Sequence, residues 1–295
     1  MRTLPVCFAA ALLVGAARPP TACPLHQATT PTGAIAYRDC GRGDPVLIIP
    51  GGPGLDAAYV DGLARTVAAL RHRAIVIEPR GTGASRAALG DGAELTVAGS
   101  VADVEAVRAA AGIARLTVLG HSFGGAVAQA YAAAHPDHVA ALVLMDSAGP
   151  DLKPGPAPLD GWRRHLTPDE LARYDAARAR GDRLDAMKIK FRASFYHPAR
   201  GKAFVDRFAD DRVHLDVMRL SDSYQRDYRI APSGAVLFPV TILAGDIDWI
   251  RGNEPALRIT YPQARLIVIA QAGHFPWLDS PAATRRALGR ALHRQ

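Results

Sequence analysis

Only 3 of the 295 residues are Cys, and only 4 of the 35 basic residues are Lys (Lys153, Lys188, Lys190 and Lys202). Three cysteines cannot build a disulfide scaffold. A chain of this length needs none, because it can bury roughly three quarters of its unfolded surface. No basic run is longer than two residues, so the formal charge of +7 is diffuse and bears on solubility rather than on a nucleic-acid partner. With 49% hydrophobic and 21% charged residues the composition excludes disorder, and the 27 Gly and 22 Pro follow no triplet period, which excludes a collagen-like chain. Beyond the N-terminus no apolar stretch reaches about 18 residues, so no later transmembrane helix is expected.

What the N-terminus does contain is Arg2 followed by an apolar run from Leu4 to Ala17, the layout of an export signal and too short to span a bilayer comfortably. We read residues 1–22 as a signal peptide and the protein as exported, periplasmic or secreted. Ala22-Cys23 also suggests a lipid anchor at Cys23, although Pro20 stands where such sites usually carry Leu. In an oxidising compartment Cys23 and Cys40 could instead pair with each other, tying the N-terminal arm to the first hairpin.

Short β-branched runs then alternate with Ala-rich helical stretches, which predicts an α/β fold: a mostly parallel twisted sheet with helices on both faces. Strands are expected at Ala34–Arg38, Pro45–Ile49, Ala74–Ile77, Leu116–Leu119, Val139–Leu144, Val240–Ala244 and Ala264–Ile269. The first two bracket the turn Gly41-Arg42-Gly43-Asp44 and read as a hairpin. Between Ser147 and Pro239 the alternation stops. A Pro/Gly-rich linker at residues 149–158 leads into charged amphipathic helices, which predicts a helical lid over residues 149–235 inserted before the last two strands, between core segments 30–148 and 236–295.

Gly120-His121-Ser122-Phe123-Gly124-Gly125 stands between the strand Leu116–Leu119 and the next helix. Glycine at these positions permits the strained strand-to-helix turn that lifts the Ser122 hydroxyl above a sheet. A serine hydroxyl cannot attack an acyl carbon unaided, so a base and an orienting acid are needed downstream. His274 follows the last strand in Gly273-His274-Phe275-Pro276 and is the expected base. Asp248 follows the preceding strand in Gly245-Asp246-Ile247-Asp248 and is the expected acid, with Asp246 and Asp146 as rivals. His121 is expected to point elsewhere on the turn, and His72, His135 and His138 to lie on the surface. The loop Pro50-Gly51-Gly52-Pro53-Gly54 allows a backbone N–H to approach a carbonyl oxygen. The amides of Gly52 and Phe123 are the expected oxyanion hole, each donor contributing roughly 3 kcal/mol. A phosphate-binding role for the glycine loops is disfavoured, because no Gly-Lys-Ser/Thr follows and Gly81-Thr82-Gly83-Ala84-Ser85-Arg86 lacks a third dinucleotide-loop glycine. Such a triad calls for neither metal nor cofactor.

From about Ile35 to Leu292 the sequence resembles the alpha/beta-hydrolase superfamily, and more closely its proline iminopeptidase-like branch. The resemblance rests on Gly51-Gly52-Pro53-Gly54, on Glu78-Pro79-Arg80-Gly81-Thr82-Gly83-Ala84-Ser85, on the Ser122 turn, and on Asp248 and His274. Pro50 replaces the branch's usual His, and Glu78-Pro79 its usual Asp-Gln; neither change removes a backbone donor. The resemblance implies a serine hydrolase acting on a small ester, amide or short peptide. Aminopeptidases of the branch hold the substrate ammonium with lid glutamates. Here residues 151–235 contain a single Glu, Glu170, which reads as a helix cap after Thr167-Pro168. They also carry 17 Lys and Arg against 13 Asp and Glu, a balance that leans toward neutral or anionic acyl substrates unless Asp222 or Asp227 replaces the missing glutamates. Phe191, Phe195, Tyr196, Phe204, Phe208 and Tyr224 are candidates for an acyl pocket or for the lid's own core.

Overall fold

The structure, a computed structural model, describes residues 23–90, 95–151, 161–207, 212–220, 226, 228–230, 236–249 and 253–293. The expected leader over residues 1–22 lies outside them, as do Phe208, Asp222, Tyr224 and Asp227.

Eight strands form one sheet in the order β1-β2-β4-β3-β5-β6-β7-β8. They are β1 (Leu25–Thr30), β2 (Gly33–Cys40), β3 (Pro45–Ile49), β4 (Arg73–Ile77), β5 (Leu116–His121), β6 (Val139–Met145), β7 (Val240–Gly245) and β8 (Arg265–Ile269). β1 pairs antiparallel with β2, and β2 with β4; every later pairing is parallel. The central strands are buried on both faces, so their side chains alternate between two cores rather than between core and water. Leu47 and Ile49 of β3 pack with Val101, Val104 and Val107 of α2 (Val97–Ala110) and with α3 (Phe123–Ala134). Val46 and Ile48 face Leu63 and Val67 of α1 (Asp61–Ala69) and Ala287 and Leu288 near the C-terminus.

The expected hairpin between the second and third strands does not form. β3 is apolar throughout and belongs between two parallel neighbours, so β2 pairs with β4 instead, and the true hairpin is β1–β2. The Gly41–Asp44 turn carries the chain over the end of β4, where Arg73 N donates to Asp44 O at 3.1 Å. Gly41 takes φ +78° and Gly43 φ +114°, and a Cβ at either would strike the carbonyl of His72 or Arg71. No strand is expected from the sequence at β1, whose residues are mostly exposed and show no clean alternation. Cys23 and Cys40 are disulfide-bonded, with their Cα atoms 5.0 Å apart, which fixes this arm to the end of β2.

Between β6 and β7 lie α4 (Pro168–Ala179), α5 (Arg183–Ala193) and α6 (Pro198–Asp206), with short 3-10 turns at Gly161–His165 and Val217–Arg219. Among the described residues this insertion has no strand, only the isolated bridges Leu55–Val213 and Asp151–Arg229. Thr167 and Glu170 form a reciprocal capping box on α4, and Arg192 pairs with Glu170, so this carboxylate is committed to the helix end. α7 (Glu254–Thr260), α8 (Pro276–Asp279) and α9 (Pro281–Leu292) complete the fold. No described helix is long and apolar enough to cross a membrane.

Candidate active site

The site is assembled where β5, β6, β7 and β8 end, the rim at which open α/β sheets hold ligands. Among the described residues four non-glycine residues have positive φ; three of them, Ser122, Asp146 and Gln271, stand just past β5, β6 and β8. Such backbone strain persists only where surrounding contacts over-determine it.

Ser122 (φ 56°, ψ −124°) joins β5 to α3. Its N–H donates to Met145 O at 3.1 Å, and its carbonyl accepts from Gly125 N and Ala148 N, each at 2.9 Å. A Cβ at Gly124 would strike the carbonyls of Ile49 and Pro50, and one at Gly51 would lie 2.6 Å from the Ser122 Cβ. The glycines are therefore what lets the Pro50–Gly54 loop press against the turn.

The structure brings the three expected side chains together. His274 Nε2 lies 2.9 Å from Ser122 Oγ, and Nδ1 lies 3.0 Å from Asp248 Oδ1. With its proton on Nδ1, donated to Asp248, the imidazole turns the lone pair of Nε2 toward the hydroxyl. Burial holds the His274 pKa down, to about 3, and the Lys190 ammonium adds to this, so the ring is neutral and able to accept a proton at pH 7.

The rival acids have other partners. Asp246 accepts from Gln271 N and Ala272 N, each at 2.9 Å, and so shapes the loop that carries the base. Asp146 is buried, and its Oδ1 accepts from Gly245 N at 2.8 Å. Burial first, and then the charge of Asp248, push its carboxyl well above the usual range, which favours its neutral form. Of two adjacent buried carboxyls only one ionises, and the one facing His274 is Asp248.

His121 does point away from the hydroxyl, but it is integral to the site. Gly51 N donates to the Tyr59 hydroxyl, Tyr59 OH lies 2.9 Å from His121 Nδ1, and His121 Nε2 lies 2.8 Å from the carbonyl of His274. Burial, with the neighbouring His274, holds His121 well below its ordinary value, and burial pushes the Tyr59 hydroxyl up. A neutral His121 then accepts from Tyr59 and donates to His274 O, giving a continuous chain from the glycine loop to the base loop. Asp279 adds a second brace, accepting from Gly273 N at 2.9 Å, Tyr196 N at 2.9 Å and His197 N at 3.1 Å, so that it ties the base loop to the helical insertion. The sequence offered little sign of either brace: His121 is the variable residue of its motif, and Asp279 reads as an ordinary helix carboxylate.

A cavity of about 470 Å³ opens over the hydroxyl, lined among others by Gly52, Ser122, His274, Lys190, Phe191 and Trp249. Gly52 thus borders the cavity from the glycine loop, while Phe123 opens α3 directly after Ser122. Of the expected lid aromatics, Phe191 reaches this cavity. Phe195 and Phe204 pack on Phe275, with ring centroids 4.9 and 4.7 Å away, and Tyr196 is exposed.

Glu78-Pro79-Arg80-Gly81 serves the scaffold. Arg80 donates through Nε to Asp103 Oδ2 at 3.0 Å, pairs with Asp103 Oδ1 as well, and donates to Ala88 O at 2.8 Å. Glu78 Oε1 accepts from Ala57 N at 2.8 Å.

A parallel sheet with a serine turn, an imidazole and a carboxylate at its rim defines the alpha/beta hydrolases. The chain belongs to that family: the family model for the alpha/beta hydrolase fold matches residues 44–281. The chain is 27% identical over 289 residues to a probable proline iminopeptidase of Streptomyces coelicolor, covering 81% of this chain and 86% of that one. It is likewise 27% identical over 290 residues to a 1-acylglycerol-3-phosphate O-acyltransferase of Arabidopsis thaliana, covering 85% of this chain and 67% of that one. Among solved structures, an esterase of Exiguobacterium antarcticum superposes with a TM-score of 0.71 at 19% identity, covering 89% of this chain and 97% of that one. The chain is a serine hydrolase of this fold.

Proposed function

We propose that this hydrolase cleaves a small carboxylic ester, or an amide lacking a free N-terminus, through an acyl-Ser122 intermediate. The observation that carries this reading is the relay from Ser122 Oγ to His274 at 2.9 Å and from His274 to Asp248 at 3.0 Å. Ser122 Oγ attacks the acyl carbon as its proton passes to His274 Nε2, and Asp248 stabilises the imidazolium. The amides of Gly52 and Phe123 receive the oxyanion. The leaving group departs with the proton from Nε2. Water, deprotonated by the same nitrogen, then releases the acid and regenerates Ser122. The helical insertion acts as a lid, and Asp279 couples it to the base loop.

Aminopeptidase action needs a carboxylate in the cavity to hold the substrate ammonium. Glu170 is engaged by Thr167 and Arg192, and among the described residues no Asp or Glu lines the cavity. The test is a panel of prolyl and alanyl arylamides, free and N-acetylated, beside short 4-nitrophenyl esters, with Ser122→Ala as control. Esters should be turned over, and blocked arylamides should react at least as fast as free ones. Rapid cleavage of the free arylamides with none of the blocked ones would establish the aminopeptidase.

The low pKa of His274 sets the pH dependence. Because its folded value is depressed, the base is already neutral in mild acid. kcat/KM for an ester should therefore stay flat from neutrality down to about pH 5, where an ordinary histidine base with a pKa of about 6.5 would already have lost most activity. A pH–rate profile checks this, and a half-maximum near pH 6.5 would contradict it.

Export is supported by the apolar segment after Arg2 and by the Cys23–Cys40 disulfide, a bond that persists in oxidising compartments. The same bond occupies the Cys23 sulfur that a lipid anchor would need, so we favour the unlipidated form.

A further inference from the structure

The cavity over Ser122 is charged on one side of the ledger only. Lys190, Arg178, Arg183 and Arg219 line it, and among the described residues no carboxylate does. Arg178, Arg183 and Arg219 are exposed and form its outer part, whereas Lys190 is partly buried. Among the described residues neither Arg178 nor Arg183 has an ion-pair partner, and the Lys190 ammonium is held by ring faces rather than by a carboxylate: Nζ lies 4.1 Å from the Trp249 ring centroid and 5.9 Å from that of Trp162. The Trp249 ring is itself 5.1 Å from the His274 ring, which puts the ammonium one side chain away from the base.

In the empty site this placement has a cost. Desolvation lowers the Lys190 pKa to about 8, with the charge of Asp248 pulling the other way, so the amine remains mostly protonated at neutral pH. A cation there opposes the charging of His274, which must become an imidazolium during each turnover. An anion bound beside Lys190 removes the conflict: it pairs with the ammonium, cancels its field at the imidazole, and leaves Asp248 to stabilise the charged ring. The arginines at the mouth add a field that draws an anion inward.

We propose that the cavity selects esters or amides that carry a carboxylate, with Lys190 as the residue that binds it. The proposal rests on the hydrolase reading of the site and adds its substrate class. It also accounts for the missing ammonium-binding acid, because the same space is lined with groups of the opposite sign.

Two probe pairs test it and show on which side of the scissile bond the anion sits. Mono-4-nitrophenyl adipate is compared with 4-nitrophenyl hexanoate, which places the carboxylate on the acyl chain. 3-Carboxy-4-nitrophenyl hexanoate is compared with the same neutral ester, which places it on the leaving group. The readout is the anionic-to-neutral ratio of kcat/KM within each protein, which a partial loss of folded enzyme does not move. In the wild type at least one ratio should exceed about tenfold; Lys190→Met should lower it by about 10- to 100-fold, and Lys190→Arg should largely retain it. Ratios near one in the wild type, or a preference that survives in Lys190→Met, would overturn the proposal. Calorimetric binding of adipate to Ser122→Ala, with and without Lys190→Met, separates the two layers of the reading. Adipate binding that depends on Lys190 in a protein turning over no ester would sink the hydrolase mechanism and keep the anion site. Ester turnover without anion preference would do the reverse.

Discussion

Asp248→Asn should lower kcat about 10,000-fold with little change in thermal stability, whereas Asp146→Asn should stay within a few-fold of wild type. The two residues are adjacent buried carboxyls at the ends of β6 and β7, so the contrast is a test of protonation rather than of position. Asp248 accepts from His274 Nδ1. An asparagine there offers an amide N–H as readily as an oxygen, which permits the wrong tautomer and removes the charge that stabilises the imidazolium. Burial and the Asp248 charge raise the Asp146 pKa and favour its neutral form, while its Oδ1 accepts from Gly245 N. An asparagine is likewise neutral and keeps an oxygen for Gly245 N. Equal losses from the two substitutions in steady-state kinetics would mean that the acid has been misassigned.

The largest effect on stability is expected at Arg80. Its guanidinium and the Asp103 carboxylate are both buried, and the guanidinium also reaches Ala88 O and the hydroxyl of Thr32. Arg80→Met removes the guanidinium that faces the buried Asp103 carboxylate, a change that costs about 3–5 kcal/mol. For a chain of this size that corresponds to a fall in Tm on the order of 10 °C. The double replacement Arg80→Met with Asp103→Leu should recover most of the loss, because it removes the buried carboxylate together with the guanidinium that compensated it. Thermal unfolding of the single and double variants decides this, and a single variant within 1 °C of wild type would show that the pair contributes nothing.

What could be read from the sequence is what short stretches of chain encode. The Ser122 turn is legible because its glycines are demanded by steric contacts within a few residues and by one neighbouring loop. The strands that end at the site are legible because each is a short apolar run flanked by glycine or polar residues. Pairing was less legible. Nothing local says that β2 will leave β3 for β4, because that choice depends on which strand can be covered on both faces. β1 showed no pattern because an exposed edge strand needs none. Among the site residues, Ser122, His274 and Asp248 follow from chemistry and order. Lys190 does not: a cation on a helix of the insertion ordinarily reads as part of a solvated face, and only the fold shows it between tryptophans beside the base. Asp146 is visible as a rival, but its raised pKa is a property of the pair. Arg80 is legible only as part of a motif, and the reason for the motif, Asp103, lies 23 residues away on α2.

The proposed hydrolysis depends on Ser122 being the nucleophile activated by His274. Incubation with a fluorophosphonate probe followed by peptide mass spectrometry tests that directly. The wild type should be labelled on Ser122 alone, Ser122→Ala should take up no label, and His274→Ala should label at least a hundredfold more slowly. Absence of labelling in the folded wild-type protein, or labelling at another serine that persists in Ser122→Ala, would contradict it.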